Sequence, residues 1–324
     1  MKAVICPAFG HGLAVTDFPA PALRPGAVRI AVHAAGVNFA DSLIAAGKYQ
    51  EKMEPPFIPG MELAGTVLEV ADDVTACRVG DRVMATVTGG AFAEEAVAEI
   101  GDVYHLPDTL DFVTAAGFPV AYGTSHLALT AKAGLKAGET LVVHGAAGGV
   151  GLTAVEVAKA LGATVIATAG GPDKVAVALE HGADHGIDYK TEDIRGRIKA
   201  LTGGRGAEVI YDPVGGAVFD ASLRSVAADG RILVIGFASG TVPQIPANIL
   251  LVKNITVIGF YWGAYRKLDP AMVRRSMTEA LDWWAAGRLF PHVSRVMELS
   301  EAGAAIDLLT RRAVTGKIVL TTGR

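Results

Sequence analysis

A short apolar run, Thr140 to His144, is followed by Gly145-Ala146-Ala147-Gly148-Gly149-Val150-Gly151 and then by an unbroken helix-forming stretch, Leu152 to Leu161. Strand, glycine-rich turn and helix in this order restrict the fold more than any other feature of the chain. Read from Ala146, the turn is A-x-G-x-x-G. A glycine at 148 lets backbone approach a pyrophosphate, one at 151 lets the helix pack closely on the sheet, and the helix N-terminus faces an anion with unpaired N–H groups. Further apolar runs alternate with helical stretches beyond the turn. Strands are expected at Thr164 to Thr168, Glu208 to Tyr211, Arg231 to Ile235 and Ile255 to Gly259, and helices at Gly149 to Leu161, Asp173 to His181, Asp193 to Leu201 and Ala217 to Ala227. Such βαβ alternation predicts a doubly wound parallel sheet.

The chain of 324 residues is long enough for about two domains. Up to about residue 115 it reads differently, as short β-rich runs punctuated by Gly and Pro: Val28 to Ala34, Leu63 to Val70, Arg82 to Thr86 and Phe92 to Ala98. These predict a mostly antiparallel, barrel-like domain, with Met1 to Val15 as a first strand. Near the C-terminus a helix over Asp269 to Gly287 and a strand over Lys317 to Thr321 leave the βαβ rhythm and are expected to return to that first domain. The uncharged stretch Phe112 to Ala131 contains Pro119, His126 and several hydroxyls, which favours a buried segment over a membrane span.

Composition narrows the partners. With 29 Lys+Arg against 33 Asp+Glu and no block of like charges, nothing calls for nucleic acid or an anionic membrane, so a small molecule is expected. The two cysteines, Cys6 and Cys77, exclude a disulfide framework and a cysteine-based zinc knuckle, and they fit a reducing cytoplasm. An NAD site usually has an acid at the end of the second strand of the unit, for the ribose 2′-OH. That position reads Thr168-Ala169-Gly170-Gly171, with Lys174 following. A missing carboxylate beside a lysine suits a 2′-phosphate, so NADPH is expected.

Val37-Asn38-Phe39-Ala40-Asp41, Gly60-Met61-Glu62-Leu63-Ala64-Gly65, Val79-Gly80-Asp81-Arg82-Val83, the turn Ala146 to Gly151 and Tyr261-Trp262-Gly263 stand in the order and spacing of the medium-chain dehydrogenase/reductase superfamily. The chain resembles its zinc-free quinone oxidoreductase (zeta-crystallin-like) branch from end to end. The resemblance implies an α/β architecture: a GroES-like β-barrel catalytic domain (1–122 and 262–324), an inserted Rossmann NADPH-binding domain (123–261), and an active site in the cleft between them. Zinc-dependent members carry Cys where this chain has Asn38 and His where it has Met61, so no metal is expected at the reaction centre.

Carried over by resemblance, Asn38, Tyr49 and Thr124 are the catalytic candidates, with Asn38 donating to a substrate carbonyl and Tyr49 either a proton donor or ring support for the cofactor. Ala147, Gly148, Gly149 and Val150 would meet the pyrophosphate. Gly170, Lys174 and Tyr189 would surround the 2′-phosphate, Phe237 and Ala238 would line the nicotinamide ribose, and Lys317 would add charge to the phosphates. The expected activity is reduction of quinones, or of alkenes conjugated to a carbonyl. Enoyl thioester reduction and a non-catalytic, crystallin-like NADPH-binding role are the alternatives. The strand Ile255 to Phe260, last in its sheet, is expected to pair across a two-fold axis in a homodimer.

Overall fold

The computed structural model describes residues 1–324, which form two compact units, 1–120 with 291–324, and 121–290. In the first unit, Pro7 lacks a ladder donor and Gly10 adopts φ +75°, so the amino-terminal run cannot continue as one strand. The single strand expected over Met1 to Val15 is instead two, β1 (Lys2–Ile5) and β2 (Ala14–Asp17), paired antiparallel. The 11-residue β3 (Ala27–Val37) is the spine of the larger sheet. It pairs antiparallel with β4 (Glu62–Val70) and β6 (Glu95–Glu99), while β5 (Arg82–Thr86) and β7 (Val103–His105) extend the sheet beyond β4. Val28, Ile30 and Val32, spaced by two on one face of β3, are buried with Leu63, Val67, Val83 and Ala85 in one apolar core, and Ala27, Ala31 and Ala35 of the other parity are buried as well.

In the second unit β8 (Thr140–His144), β9 (Thr164–Ala169), β10 (His185–Asp188), β11 (Ala207–Asp212), β12 (Val226–Val234) and β13 (Thr256–Gly259) form one parallel sheet in the order β10-β9-β8-β11-β12-β13. Strand order reverses at β8, so the glycine turn leaves the sheet at its topological switch point, where doubly wound folds place ligands. β10 was not legible as a strand because only Ile187 of its four residues is an aliphatic core residue. Gly186 is needed there, since a Cβ would lie 2.3 Å from Val175 Cγ1 of the neighbouring helix.

The chain then returns to the first sheet as β14 (Val293–Glu298) and β15 (Lys317–Thr321), giving the order β14-β15-β3-β4-β5-β7 with β6 also on β3. The helix Pro270–Ala285 does not return with them, contrary to expectation. It belongs to the second unit, where its Ser276 hydroxyl bonds His126 Nδ1 at 2.8 Å and Val273, Met277 and Ala280 are buried. The stretch Phe112 to Ala131 forms the helices Phe112–Ala116 and Pro119–Leu127 and the start of a π-helical turn, and no helix of the protein is long and apolar enough to cross a membrane.

Candidate functional site

The first unit gathers polar groups where strands β15, β3 and β4 run side by side. Register places Ile318 opposite Val37 and Gly36 opposite Glu62, so Asn38, Glu62 and Lys317 converge at one end of three neighbouring strands. Glu62 is wholly buried and Lys317 is 7% exposed. Buried charges persist only when paired and hydrogen-bonded, and here both charges are. Lys317 Nζ donates to Glu62 Oε1 (2.7 Å), Asn38 Oδ1 (2.7 Å) and the Val37 carbonyl (2.9 Å). Asn38 Nδ2 donates to Glu62 Oε1 (2.8 Å), and the Val120 N–H donates to Glu62 Oε2 (2.8 Å). Gly36 makes room for the carboxylate, because a Cβ there would stand 2.5 Å from Glu62 Oε1 and 2.4 Å from the Ala116 carbonyl oxygen.

Asn38 is also the N-cap of the helix Phe39–Ala45, and its backbone N–H is held by the Asp41 carboxylate at 2.7 Å. Burial pushes Asp41 up to about 7, against the lowering pull of the Asn38 N–H and of Lys317, with Glu62 adding to the rise. The capping duty thus falls on Asp41, and the Asn38 amide is turned toward Lys317 and Glu62.

Tyr49 lies half-buried against the small apolar cluster of Cys6, Ile44 and Phe57, together with Met53 and Met61. Met61 therefore serves as packing, at the position where the resemblance implies His in zinc-dependent members. The residues of this region do not fit a zinc ion: an amide and a thioether replace the expected ligands, and a divalent cation beside Asn38 and Glu62 would meet the Lys317 ammonium. One cluster elsewhere has metal-ligating composition, Cys77, Asp81 and His105, with ligand atoms within 4.8 Å of one another. Its groups already hold backbone, Asp81 accepting from the Arg78 N–H (2.8 Å) and His105 Nε2 meeting the Ala76 carbonyl (3.0 Å), so it ties down the approach to β5.

In the second unit the turn has the form the sequence dictates. Gly145 takes φ +59°, Gly148 is the N-cap, and the helix Gly149–Ala160 starts with no side chain capping its first N–H groups. Four such groups at any helix start lack intrahelical acceptors and attract anions. A Cβ on Gly151 would lie 2.3 Å from the Gly145 carbonyl oxygen and 2.8 Å from Ala146 Cα, so only glycine permits this approach of helix to turn. Below it, Ser125 Oγ donates to the Val150 carbonyl (2.9 Å) and lies within hydrogen-bond distance of Thr153 Oγ1 (2.7 Å) and Tyr211 Oη (3.0 Å), fixing the helix on the sheet. His144 is fully buried between the hydroxyls of Thr168 and Ser222, and burial lowers its pKa, keeping the ring neutral and structural.

Because the strands are parallel, their C-terminal ends share one edge, and the structure collects most of the expected second-unit residues there. Ala147 to Val150 follow β8, Gly170 follows β9, Tyr189 follows β10, and Phe237 and Ala238 lie just beyond β12. A Cβ on Gly170 would be 2.6 Å from the Tyr189 hydroxyl, so the phenol covers the place where an acid would otherwise stand. Gly171, at φ +107°, donates its N–H to Asp188 Oδ1 (2.8 Å), which also accepts from the Lys190 N–H (3.0 Å). Those two backbone bonds lower the Asp188 pKa. Lys174 stands in the first turn of the helix Pro172–Glu180, and Lys190 Nζ lies 3.9 Å from the Cβ position of Gly171. Lys190 was not singled out from the sequence, although it directly follows Tyr189. Thr124, 8% exposed, sits on the helix Pro119–Leu127. Lys317, expected to add charge to phosphates, has all three donors committed to the first-unit cluster and none left for that role.

Residues 149–284 match the family model described as Zinc-binding dehydrogenase, and residues 24–108 match that described as Alcohol dehydrogenase GroES-like domain. A Nematostella vectensis protein named Quinone oxidoreductase-like protein 2 homolog is 43% identical, the match covering 99% of this chain and 89% of that one. Among solved structures, a mycobacterial protein complexed with NADPH superposes with a TM-score of 0.93 at 33% identity, covering 99% of this chain and all of its own. The Escherichia coli quinone oxidoreductase complexed with NADPH gives a TM-score of 0.91 at 29% identity, with 99% of this chain and 100% of that chain covered.

Proposed function

The chain belongs to the medium-chain dehydrogenase/reductase superfamily, among its quinone oxidoreductase-like members, and from that premise we propose that it is a zinc-independent, NADPH-dependent reductase of quinones or of alkenes conjugated to a carbonyl. The observation that carries this reading is the make-up of the first-unit cluster: an oriented amide with a buried ammonium–carboxylate pair stands where zinc-dependent members bind metal.

The second unit's residues suit the cofactor. Gly149 and Val150 present helix N-terminal N–H groups to a pyrophosphate, while Gly148, whose own N–H is bonded to the Gly145 carbonyl (2.9 Å), and Ala147 form the turn that lets it approach. Gly170 leaves space, and Tyr189, Lys174 and Lys190 offer a hydroxyl and positive charge, to a 2′-phosphate. Phe237 and Ala238 are assigned to the nicotinamide ribose and Thr124 to the nicotinamide. When bound, NADPH supplies the hydride for reduction.

In the first unit, Asn38 donates an amide N–H to the acceptor oxygen that gains negative charge, and Tyr49 or water returns a proton. A single neutral donor stabilises an isolated alkoxide less than a metal does. A conjugated acceptor spreads the same charge over its own π-system, so an amide suffices for quinones and enones and not for simple ketones. Asn38→Ala is expected to lower kcat about tenfold to a hundredfold while NADPH still binds. Steady-state NADPH oxidation with a simple quinone, an enone and acetone checks both points; equal turnover of acetone, or an unchanged kcat in the variant, refutes them.

The same proposal includes absence of zinc from the reaction centre and a homodimer. β13 is an edge strand, and the preceding helix Ala247–Lys253 exposes Leu251 (78%) and Val252 (77%), which argues for a second copy covering this edge. Light scattering at micromolar concentration should give twice the 33.4 kDa chain mass. Zinc analysis should give no metal whose removal by a chelator abolishes activity.

A further inference from the structure

Asn38 is not merely near a buried ion pair; its amide is held by both members of it. The chemistry of the neighbours fixes which end of the amide faces which partner. An ammonium has no lone pair, so the atom 2.7 Å from Lys317 Nζ must be the amide oxygen, and an ionised carboxylate has no proton, so the atom 2.8 Å from Glu62 Oε1 must be the amide nitrogen. One Nδ2–H is thereby used on Glu62 and one remains. Glu62 is anchored from its other oxygen by the Val120 N–H, and Lys317 by the Val37 carbonyl, so neither partner can follow the amide if it rotates.

We propose that Lys317 and Glu62 are positioning residues for reduction, locking the Asn38 amide so that its remaining N–H, and never its carbonyl oxygen, is presented to the oxygen that becomes negative. The proposal rests on the role given to Asn38 above. Preorganised donors act because they need no reorientation as charge develops. Without Lys317 the amide oxygen loses its anchor, and a flipped amide would set a lone pair against the developing oxyanion. Burial explains why charged side chains can hold the amide in place. With Lys317 and Glu62 almost withdrawn from water, their bonds to it are not exchanged for bonds to solvent. The sequence hides the arrangement, since 279 positions separate Lys317 from Asn38.

The test is a mutant cycle in kcat. Lys317→Met alone would leave Glu62 as an unpaired buried charge, so it is combined with Glu62→Gln, which removes both charges. The neutral pair should keep its KM for NADPH within about twofold and lose about tenfold or more in kcat with a simple quinone, as Asn38→Ala does. Adding Asn38→Ala to it should lower kcat by less than about threefold further, because residues acting through one group are not additive. A purely structural role would instead lower melting temperature and active fraction and leave the effect of Asn38→Ala undiminished. Lys317→Arg, which retains the charge, repeats the comparison if the neutral pair does not fold. It should lower kcat in the presence of Asn38 and not in its absence. Wild-type kcat in the neutral pair or in Lys317→Arg, or fully additive losses, overturns the positioning role while leaving that of Asn38 intact; an unchanged kcat in Asn38→Ala alone overturns both.

Discussion

The two units prepare for ligands by opposite means. The second offers backbone: a turn of small residues, the start of a helix, and parallel strand ends along one edge. The first offers side chains: an amide, a carboxylate and an ammonium buried together behind the glycine at position 36. Backbone N–H groups are fixed by the fold and need no counter-charge. A buried ionic cluster has to be completed by every partner at once, so it is more sensitive to substitution and more specific in what it presents.

The strongest test of this contrast adds an obstruction to each. Gly151→Val should nearly abolish NADPH binding, since its Cβ would overlap the Gly145 carbonyl oxygen and Ala146 Cα, both backbone atoms that cannot step aside. Titration of cofactor fluorescence should show a Kd raised by at least about a hundredfold, matching the loss of several kcal/mol expected from a backbone collision. Gly36→Ala should leave that Kd nearly unchanged and depress kcat, because the obstruction there falls on Glu62 Oε1 and the Ala116 carbonyl oxygen in the other unit. A Gly36→Ala protein that folds and turns over normally would show that the cluster tolerates displacement.

A smaller effect sharpens the second unit's side of the contrast. Lys174→Ala should raise the KM for NADPH about tenfold or more and hardly change that for NADH, as loss of one charge-assisted phosphate bond of about 1.5–3 kcal/mol predicts. Parallel kinetics with the two cofactors decides it, and equal changes in both would place the lysine away from the 2′-phosphate. If Lys190 shares the load, Lys190→Ala should show the same selectivity with a smaller ratio.

The last effect concerns Asp41, whose carboxyl feels the charges of Lys317 and Glu62. Its folded-state pKa of about 7 is above that of an unfolded carboxyl, so between about pH 4 and 7 the folded chain retains a proton that the unfolded chain has released. Its contribution is full below that window and is lost as pH rises through 7. Asp41→Asn should therefore flatten the decline in unfolding free energy between about pH 5 and 7.5, measured by urea titration. An identical slope in the variant would mean that Asp41 ionises normally.

Much of the second unit was legible because its determinants are local. Gly148 and Gly151 act on their immediate neighbours, and β8 and the helix after it fall almost where apolar period and glycine placed them. The empty acid position at Gly170 was equally readable, although the Tyr189 ring that covers it was identified by resemblance and given its distance by the fold. The strand β10, with a single aliphatic core residue, and the helix Pro270–Ala285, whose periodicity is silent about which unit it joins, were not. Glu62 lay in view within Gly60-Met61-Glu62-Leu63-Ala64-Gly65, and an acid inside an apolar strand was the signal that could have marked it.

What the sequence determined by itself is therefore most of the second unit's strands and helices, the glycine turn, the residue types at Asn38 and Met61, and the family. Those depend on residue type and on spacings of a few positions. Tertiary structure alone decided that Lys317 serves Asn38 and Glu62 rather than phosphates. Which partner a lysine finds depends on the pairing of β15 with β3 and β3 with β4, and on burial that forces its charge to be answered by whichever groups the strand register brings within reach.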